Sequence, residues 1–399
     1  MHRLIWYLTI SSAIWTASIG SISTAVGEIY PFQFLVILNS ILVFSRKEFN
    51  INNIIKFTFF IFSLMFFYGL LSLFWVNDIS FSLKKLIHLL TGALFLFQFI
   101  LIVNNLSSLR RVFLIFSINY YLVLILSIIE IISGNYFHAT HFIQTYNTNS
   151  LGFHYPIVMF NNTNDLAVFI YLFFPVAAYN LLLIKKFKKI IIFTFYIIIA
   201  FIIINTESRL GSALVILNGI LYIYYSQLFK INNRKLKITF TIGLIAVGTV
   251  LLLVFESKVL STILNAVTSD TRIILFKMAF NAFSNTLSFG LGIGSLFDIT
   301  SINIHNYMLE ILFEYGLLIF LLYSAWLVIL YLMLNKIKSK IFSVNVLIFY
   351  LKLNILLLPL WGGISSTITS QPYIWIFYAI LIICANIIRN FDKRGDGNC

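Results

Sequence analysis

Residues 190–205 read IIIFTFYIIIAFIIIN and residues 210–229 read LGSALVILNGILYIYYSQLF, with only Thr206, Glu207, Ser208 and Arg209 between them. A helix needs about 20 predominantly apolar residues to cross the roughly 30 Å hydrocarbon core of a bilayer. Lys185, Lys186, Lys188 and Lys189 precede the pair, and Lys230, Arg234, Lys235 and Lys237 follow it. Two apolar runs joined by a tight turn, with basic residues at both outer flanks, predict a hairpin of membrane helices whose basic ends share the cytoplasmic side.

The same grammar runs through all 399 residues, of which 60% are apolar and 10% charged. A soluble domain carries about 45–50% and about 25%. The mean hydropathy of +0.98 agrees. This composition excludes a water-soluble enzyme, a disordered tail protein and a nucleic-acid binder. Spans are predicted at 4–23, 30–45, 54–74, 86–103, 111–133, 165–184, 190–205, 210–229, 238–256, 310–334, 341–360 and 372–388. With the N-terminus in the cytoplasm, 20 of the 27 Lys and Arg residues fall inside, 6 fall outside, and Lys352 lies within a span. The expected fold is therefore an all-α polytopic integral membrane protein with about twelve transmembrane helices and both termini cytoplasmic. The net charge of +14 follows from topology and needs no acidic partner. The first apolar run lacks a small-residue cleavage site and reads as an uncleaved helix. Cys384 and Cys399 form no ligand or disulfide pattern.

The chain divides into N-terminal helices (1–133), an extracytoplasmic loop (134–164), central helices (165–256), a large extracytoplasmic loop (257–309), and C-terminal helices with a short basic tail (310–399). Long loops tend to be functional, so the working face is expected outside. Nothing reads as a Walker loop, and no internal repeat is visible.

Arg209 sits at a membrane boundary, either as a snorkelling anchor or as an anion clamp at a helix start. In the large loop, Arg272 and Lys277 lie on a segment with helical apolar spacing that suits a helix on the membrane surface. The run Gly290-Leu-Gly-Ile-Gly294 lacks dinucleotide-binding spacing; its glycines give loop flexibility or a backbone cradle beside phosphate. His305 and Asn306 precede the tenth span, with Glu310 and Glu314 at one-turn steps beyond. A neutral imidazole can take a proton from a hydroxyl, and a carboxylate one turn away can orient it; the alternative is a structural histidine. His138, His141 and His154 share the other loop at spacings that match no zinc pattern. In Asn161-Asn-Thr-Asn-Asp165-Leu-Ala, Asn162 to Asp165 read as a helix cap, and the amides of Asn162 and Asn164 also suit sugar hydroxyls.

Together these pieces resemble the bacterial O-antigen ligase and polymerase family (Wzy/WaaL-like) over roughly residues 160–335. The matching features are Ser208-Arg209-Leu-Gly211, Arg272, Gly290-x-Gly-x-Gly294-x-x-Phe297, His305-Asn306-Tyr-x-Leu309-x-x-Leu312-x-Glu314-x-Gly316-Leu, and Asn162-x-Asn164-Asp165-Leu-Ala. The family often has a proline shortly before the glycine run and Asn-Pro-Asn at the asparagine stretch. This chain has neither.

The resemblance implies metal- and cofactor-independent glycosyl transfer at the outer face of the bacterial cell membrane, with undecaprenyl-pyrophosphate-linked oligosaccharide as donor. Membrane lipid, a flippase and a chain-length regulator are the implied partners. Arg209, Arg272 and His305 are the expected catalytic residues. Asn306, Glu310, Glu314, Asn162, Asn164, Asp165, Gly290, Gly292, Gly294 and Lys84 are expected at the substrate, Lys84 and Lys85 joining the phosphate site by analogy. A polymerase adds the glycan to another lipid-linked repeat unit, whereas a ligase adds it to a lipid or protein acceptor. The rival from another class is a lipid-linked oligosaccharide flippase. That reading expects ionisable residues along a mid-membrane path, where this sequence has only Glu130 and Lys352.

Overall fold

The computed structural model describes residues 2–15, 20, 22–24, 27–45, 52–138, 140, 143–144, 148–184, 188–228, 271–300, 306–337, 339, 341–363 and 371–388. Its helices are α1 (His2–Ile14), α2 (Pro31–Phe44), α3 (Asn53–Ser72), α4 (Ile79–Ile102), α5 (Leu106–Ser133), α6 (Thr163–Leu182), α7 (Lys188–Asn205) and α8 (Arg209–Leu228). They continue as α9 (Thr271–Ser284), α10 (Ser295–Thr300), α11 (Tyr307–Asn335), α12 (Phe342–Leu356), α13 (Leu358–Trp361) and α14 (Pro372–Ile383), closing on a π-helical turn, Cys384–Ile388. Helices α3, α4, α5, α6 and α11 are long and apolar enough to cross a membrane, and the other predicted spans among the described residues overlap shorter apolar helices. The predicted span 238–256 lies outside the described residues.

Two boundaries differ from expectation. The first helix stops at Ile14, and an antiparallel hairpin of β1 (Ile22–Thr24) and β2 (Gly27–Ile29) follows, so the described chain is not purely helical. The β-branched Ile22 and Thr24, with Gly20 and Gly27 nearby, favour extended backbone over another helical turn. Helix α4 begins at Ile79, not near residue 86, because Asp78 caps it by accepting the Phe81 N–H at 2.9 Å. The polar stretch through Lys84 and Lys85 is therefore helix.

Helix α6 is buried on nearly every side, as a helix apolar all round should be. Its neighbours reach it with polar cross-links: Tyr120 donates to the Ile170 carbonyl at 2.9 Å, Tyr121 to Ala177 at 2.9 Å, and Asn354 to Leu172 at 3.2 Å. Around this centre the outward faces carry Phe34, Phe60, Phe67, Phe193 and Leu318, all exposed. A soluble bundle would place charge there, whereas a lipid-facing surface is apolar. Helices α4 and α14 meet closely: a Cβ on Gly92 would lie 2.1 Å from the Trp375 ring.

The described parts of both loop segments lie at one end of the bundle, here termed the loop end. Asn149 donates to Asn205 Oδ1 at 2.9 Å, Trp75 Nε1 donates to the Leu291 carbonyl at 3.1 Å, and the Tyr307 N–H donates to Gly362 at 3.1 Å. The opposite end joins Asn52 to Asn386 at 2.8 Å.

Candidate functional site

The glycine run, α4 and α11 build one buried assembly. Gly316 stands inside α11 at φ 86°, ψ 169°, outside helical geometry, and breaks the helical bonding there. In an unbroken helix Phe313 and Glu314 would receive the N–H groups of Leu317 and Leu318. Instead the Phe313 carbonyl accepts from Leu291 N–H at 2.7 Å, the Glu314 carbonyl from Gly292 at 3.0 Å, and Leu317 N–H donates to Ser288 at 2.9 Å. A Cβ on Gly290 would fall 2.6 Å from the Gly316 nitrogen, so this close approach requires glycine. Further stitches come from Tyr68 to the Phe289 carbonyl (2.8 Å), Ser82 to the Ile293 carbonyl (2.6 Å), and Ile293 N–H to Ser72 Oγ (3.0 Å).

Within this assembly Lys85 Nζ lies 2.7 Å from Glu310 Oε1 and 2.8 Å from Glu314 Oε1, with all three side chains buried. Gly294 N–H also donates to the Glu314 carboxylate. Glu310 Oε2 is buried and has no hydrogen-bond partner among the described residues. Lys85 is thus an internal counter-ion for the two glutamates, and the phosphate contact expected of it by analogy is not available while the cluster holds. The glycine run likewise spends the N–H groups of Leu291, Gly292, Ile293 and Gly294 on protein acceptors.

Two of the predicted asparagines, Asn162 and Asn306, are helix caps. Asn162 accepts the Asp165 N–H at 2.9 Å and donates to Asp165 Oδ2 at 3.0 Å. Asp165 is fully buried and also receives Gln371 Nε2 at 3.1 Å. Asn164 is half-buried on the same first turn. Asn306 caps α11 by accepting from Met308 and Leu309 at 3.1 and 3.2 Å. Replacing Asn306 with Ala should lower stability by about 1 kcal/mol in thermal unfolding of the purified protein, while Asn306→Asp keeps the cap and most of the stability.

Lys84 faces a different environment from Lys85. It is half-buried and lines a cavity of about 180 Å³ with Gln33, His88, Phe160, Gln371 and Tyr373. Arg209 opens α8 and Arg272 lies in the first turn of α9. A Cβ on Gly211 would touch the Ala167 Cβ at 2.9 Å, so the start of α8 packs on the start of α6. His305 lies outside the described residues. The structure therefore groups Glu310, Glu314 and the three glycines in one assembly, and Asn162 and Asp165 beside the Lys84 cavity through Gln371.

Sequence reasoning missed two anchors. Glu130 accepts from the N–H groups of Phe137 (3.3 Å), Ile157 (2.8 Å) and Val158 (2.7 Å), so this acid in an apolar run ties down the 134–160 segment. Burial, then the Glu130 charge, pushes the Tyr136 phenol up to about 12, keeping it protonated. Glu207 accepts from Ser150 N–H at 2.7 Å and from Tyr155 OH at 2.5 Å, holding the same segment over the α7–α8 turn. Lys352, the other mid-span charge, is paired with Asn335 Oδ1 at 3.0 Å. Among the described residues no three of His, Cys, Asp and Glu are grouped to hold a metal ion.

No family model matches this chain. It is similar to teichuronic acid biosynthesis protein TuaE of Bacillus subtilis (strain 168). The two are 26% identical over 363 residues, covering 82% of this chain and 71% of that protein. The similarity therefore extends well beyond the motif-bearing stretch, into helices whose apolar sequence alone is uninformative.

Proposed function

We propose that this chain is a membrane glycosyltransferase of cell-wall polysaccharide biosynthesis, polymerising undecaprenyl-pyrophosphate-linked repeat units at the extracytoplasmic face. The similarity to TuaE supports the biosynthetic role. The observation that carries the enzymatic reading is the polar construction of the loop end: the start of α8, which Arg209 opens, packs on the start of α6, buried Asp165 of α6 is tied through Gln371 to the polar Lys84 cavity, and Asn306 caps the start of α11 at the same end. Glu130 and Lys352, the two exceptions to a sequence otherwise lacking the mid-span charges of a translocation path, both have local structural partners.

In this reading an acceptor hydroxyl oxygen bonds to the anomeric carbon of the donor sugar. The bond from that carbon to the pyrophosphate oxygen breaks, and undecaprenyl pyrophosphate leaves with the electron pair. His305 takes the hydroxyl proton. Arg209 and Arg272 offset the charge growing on the leaving pyrophosphate. Helix starts add their unpaired N–H groups to that stabilisation. The Lys85–Glu310–Glu314 cluster fixes the first turns of α11 directly behind Asn306.

The test is polymerisation in vitro, with purified protein, lipid-linked repeat units and a metal chelator, read as a glycan ladder on a gel. The ladder should persist with chelator and fall about 10²–10⁴-fold in rate for His305→Ala. Full-rate polymerisation by a folded His305→Ala protein would remove that role. Movement of the intact unit across a vesicle bilayer without lengthening would reassign the chain as a transporter, and transfer only to a lipid or protein acceptor would make it a ligase.

A further inference from the structure

The end of the bundle opposite the loop end carries a groove of about 650 Å³ between the start of α3, the last turns of α11 and the π-helical turn Cys384–Ile388. Depth sorts its lining. Ile54 and Phe57 of α3, with Ile329 and Met333 of α11, lie within the helices, whereas Asn52, Asn53 and Asn386 stand at helix ends. Ile329 and the nearby Phe60 and Leu332 are exposed, so the apolar part opens sideways onto the lipid-facing surface. A groove that is apolar inward and polar at its mouth suits a molecule lying across the same boundary of a bilayer.

Hydrogen bonding and charge then narrow the occupant. Asn52 Oδ1 accepts the Ile55 N–H at 3.1 Å, so its Nδ2 is the atom that donates to Asn386 Oδ1 at 2.8 Å. That fixes the Asn386 amide and leaves its Nδ2 as a donor on the groove wall, with no partner among the described residues. Lys56 follows Asn53 by one turn on α3, and Lys336 follows Met333 by one turn on α11, so each lysine shares a helix face with the lining. Both are exposed, and neither makes an ion pair among the described residues. No carboxylate lines the groove. The first turn of α3 also holds no acid to answer the positive end of its dipole, to which Lys56 adds. A free anion would satisfy this field but leave the apolar walls uncovered, and a zwitterionic lipid would bring a cation against two ammonium groups.

We infer that this groove holds one anionic glycerophospholipid. Its phosphate pairs with Lys56 and Lys336, its headgroup hydroxyls meet the amides of Asn53 and Asn386, and its acyl chains start along Phe57 and Ile329. The volume equals that of about twenty waters, which takes a phosphoglycerol headgroup and the first methylenes of its chains. Such a lipid clasps α3 to α11 at the end away from the glycine run. The inference stands apart from the enzymatic reading.

The test uses the full chain, stripped of lipid in detergent, and three probes: phosphatidylglycerol, phosphatidylcholine with the same acyl chains, and glycerol 3-phosphate. Bound lipid is counted by native mass spectrometry, with the thermal unfolding midpoint as a second readout. Phosphatidylglycerol should bind as a single lipid and raise the midpoint, phosphatidylcholine should bind more weakly, and glycerol 3-phosphate should not displace the lipid. Lys56→Gln with Lys336→Gln should weaken phosphatidylglycerol about tenfold to thirtyfold. Arg110→Gln with Arg111→Gln removes the same charge from the same end, on α5, which packs against α1, α6 and α7. That pair should leave affinity within about twofold, as distant screened charges do. Ile329→Trp, which fills the apolar part and keeps both lysines, should weaken the lipid as well. Equal binding of the two phospholipids overturns the inference. So does an equal loss in the Arg110 and Arg111 pair, which would mean diffuse attraction to the whole surface. Displacement by glycerol 3-phosphate would make this a plain anion site, and unchanged affinity in Ile329→Trp would move the lipid out of the groove.

Discussion

Lys85→Met should destabilise the protein by about 3–5 kcal/mol, because it leaves Glu310 and Glu314 buried against each other without their shared ammonium. That is a large share of the roughly 5–15 kcal/mol that holds a typical domain together. The measurement is thermal or denaturant unfolding of the purified protein in detergent, with folded yield as a second readout. A control separates lost charge pairing from lost packing. The triple variant Lys85→Met, Glu310→Gln, Glu314→Gln removes all three charges and should recover most of the loss, since replacing a whole buried ion cluster is often near neutral. If the triple variant is as unstable as Lys85→Met, the cluster is held by shape and not by charge.

Gly316→Ala should be the other severe substitution, and its effect should fall on the loop end. The backbone there, at φ 86° and ψ 169°, is accessible almost only to glycine. A Cβ would also lie 2.3 Å from the Phe289 carbonyl oxygen, a backbone atom with no freedom to swing away. The expected cost is about 1–3 kcal/mol from the dihedral alone, together with displacement of the glycine run from α11. Hydrogen exchange should then show faster exchange at Leu291 and Gly292, whose N–H groups are held by the Phe313 and Glu314 carbonyls. Protection unchanged at those two amides in Gly316→Ala would show that the run is held by its side-chain stitches from Tyr68, Ser72 and Ser82 instead.

The apolar segments were legible because length and hydropathy are local properties, and among the described residues each predicted span overlaps an apolar helix, five of them long enough to cross a membrane. Ends were less legible. Asp78 caps α4 well before its apolar run begins, and a polar first turn reads as loop until its cap is identified. Glu310 and Glu314 were readable as one helix face from their spacing, but Lys85, their partner, lies 225 residues before Glu310, and no local pattern joins them. The glycine run shows the opposite difficulty. Alternating glycines announce close backbone approach, yet the sequence does not say what approaches. Here it is the broken backbone of α11, and Gly316 gives no sign of a break because it sits within an apolar helical pattern. Asn162 was readable as a cap from the sequence, whereas Asn306 was read only for its place beside His305, and its side-chain oxygen proves to cap α11.

The 134–160 segment is gripped in an unusual currency. Glu130 holds it through the amides of Phe137, Ile157 and Val158, and Glu207 holds Ser150 the same way. Main-chain amides are common to every residue except proline, so these four contacts do not depend on the side chains at Phe137, Ser150, Ile157 and Val158, whereas Asn149 and Tyr155 hold through their side chains. Substitution of those four residues by any type but proline therefore leaves the donor in place. Proline at Phe137, Ser150, Ile157 or Val158 is the exchange that removes a bar of this main-chain trellis outright, because it takes away the donor itself.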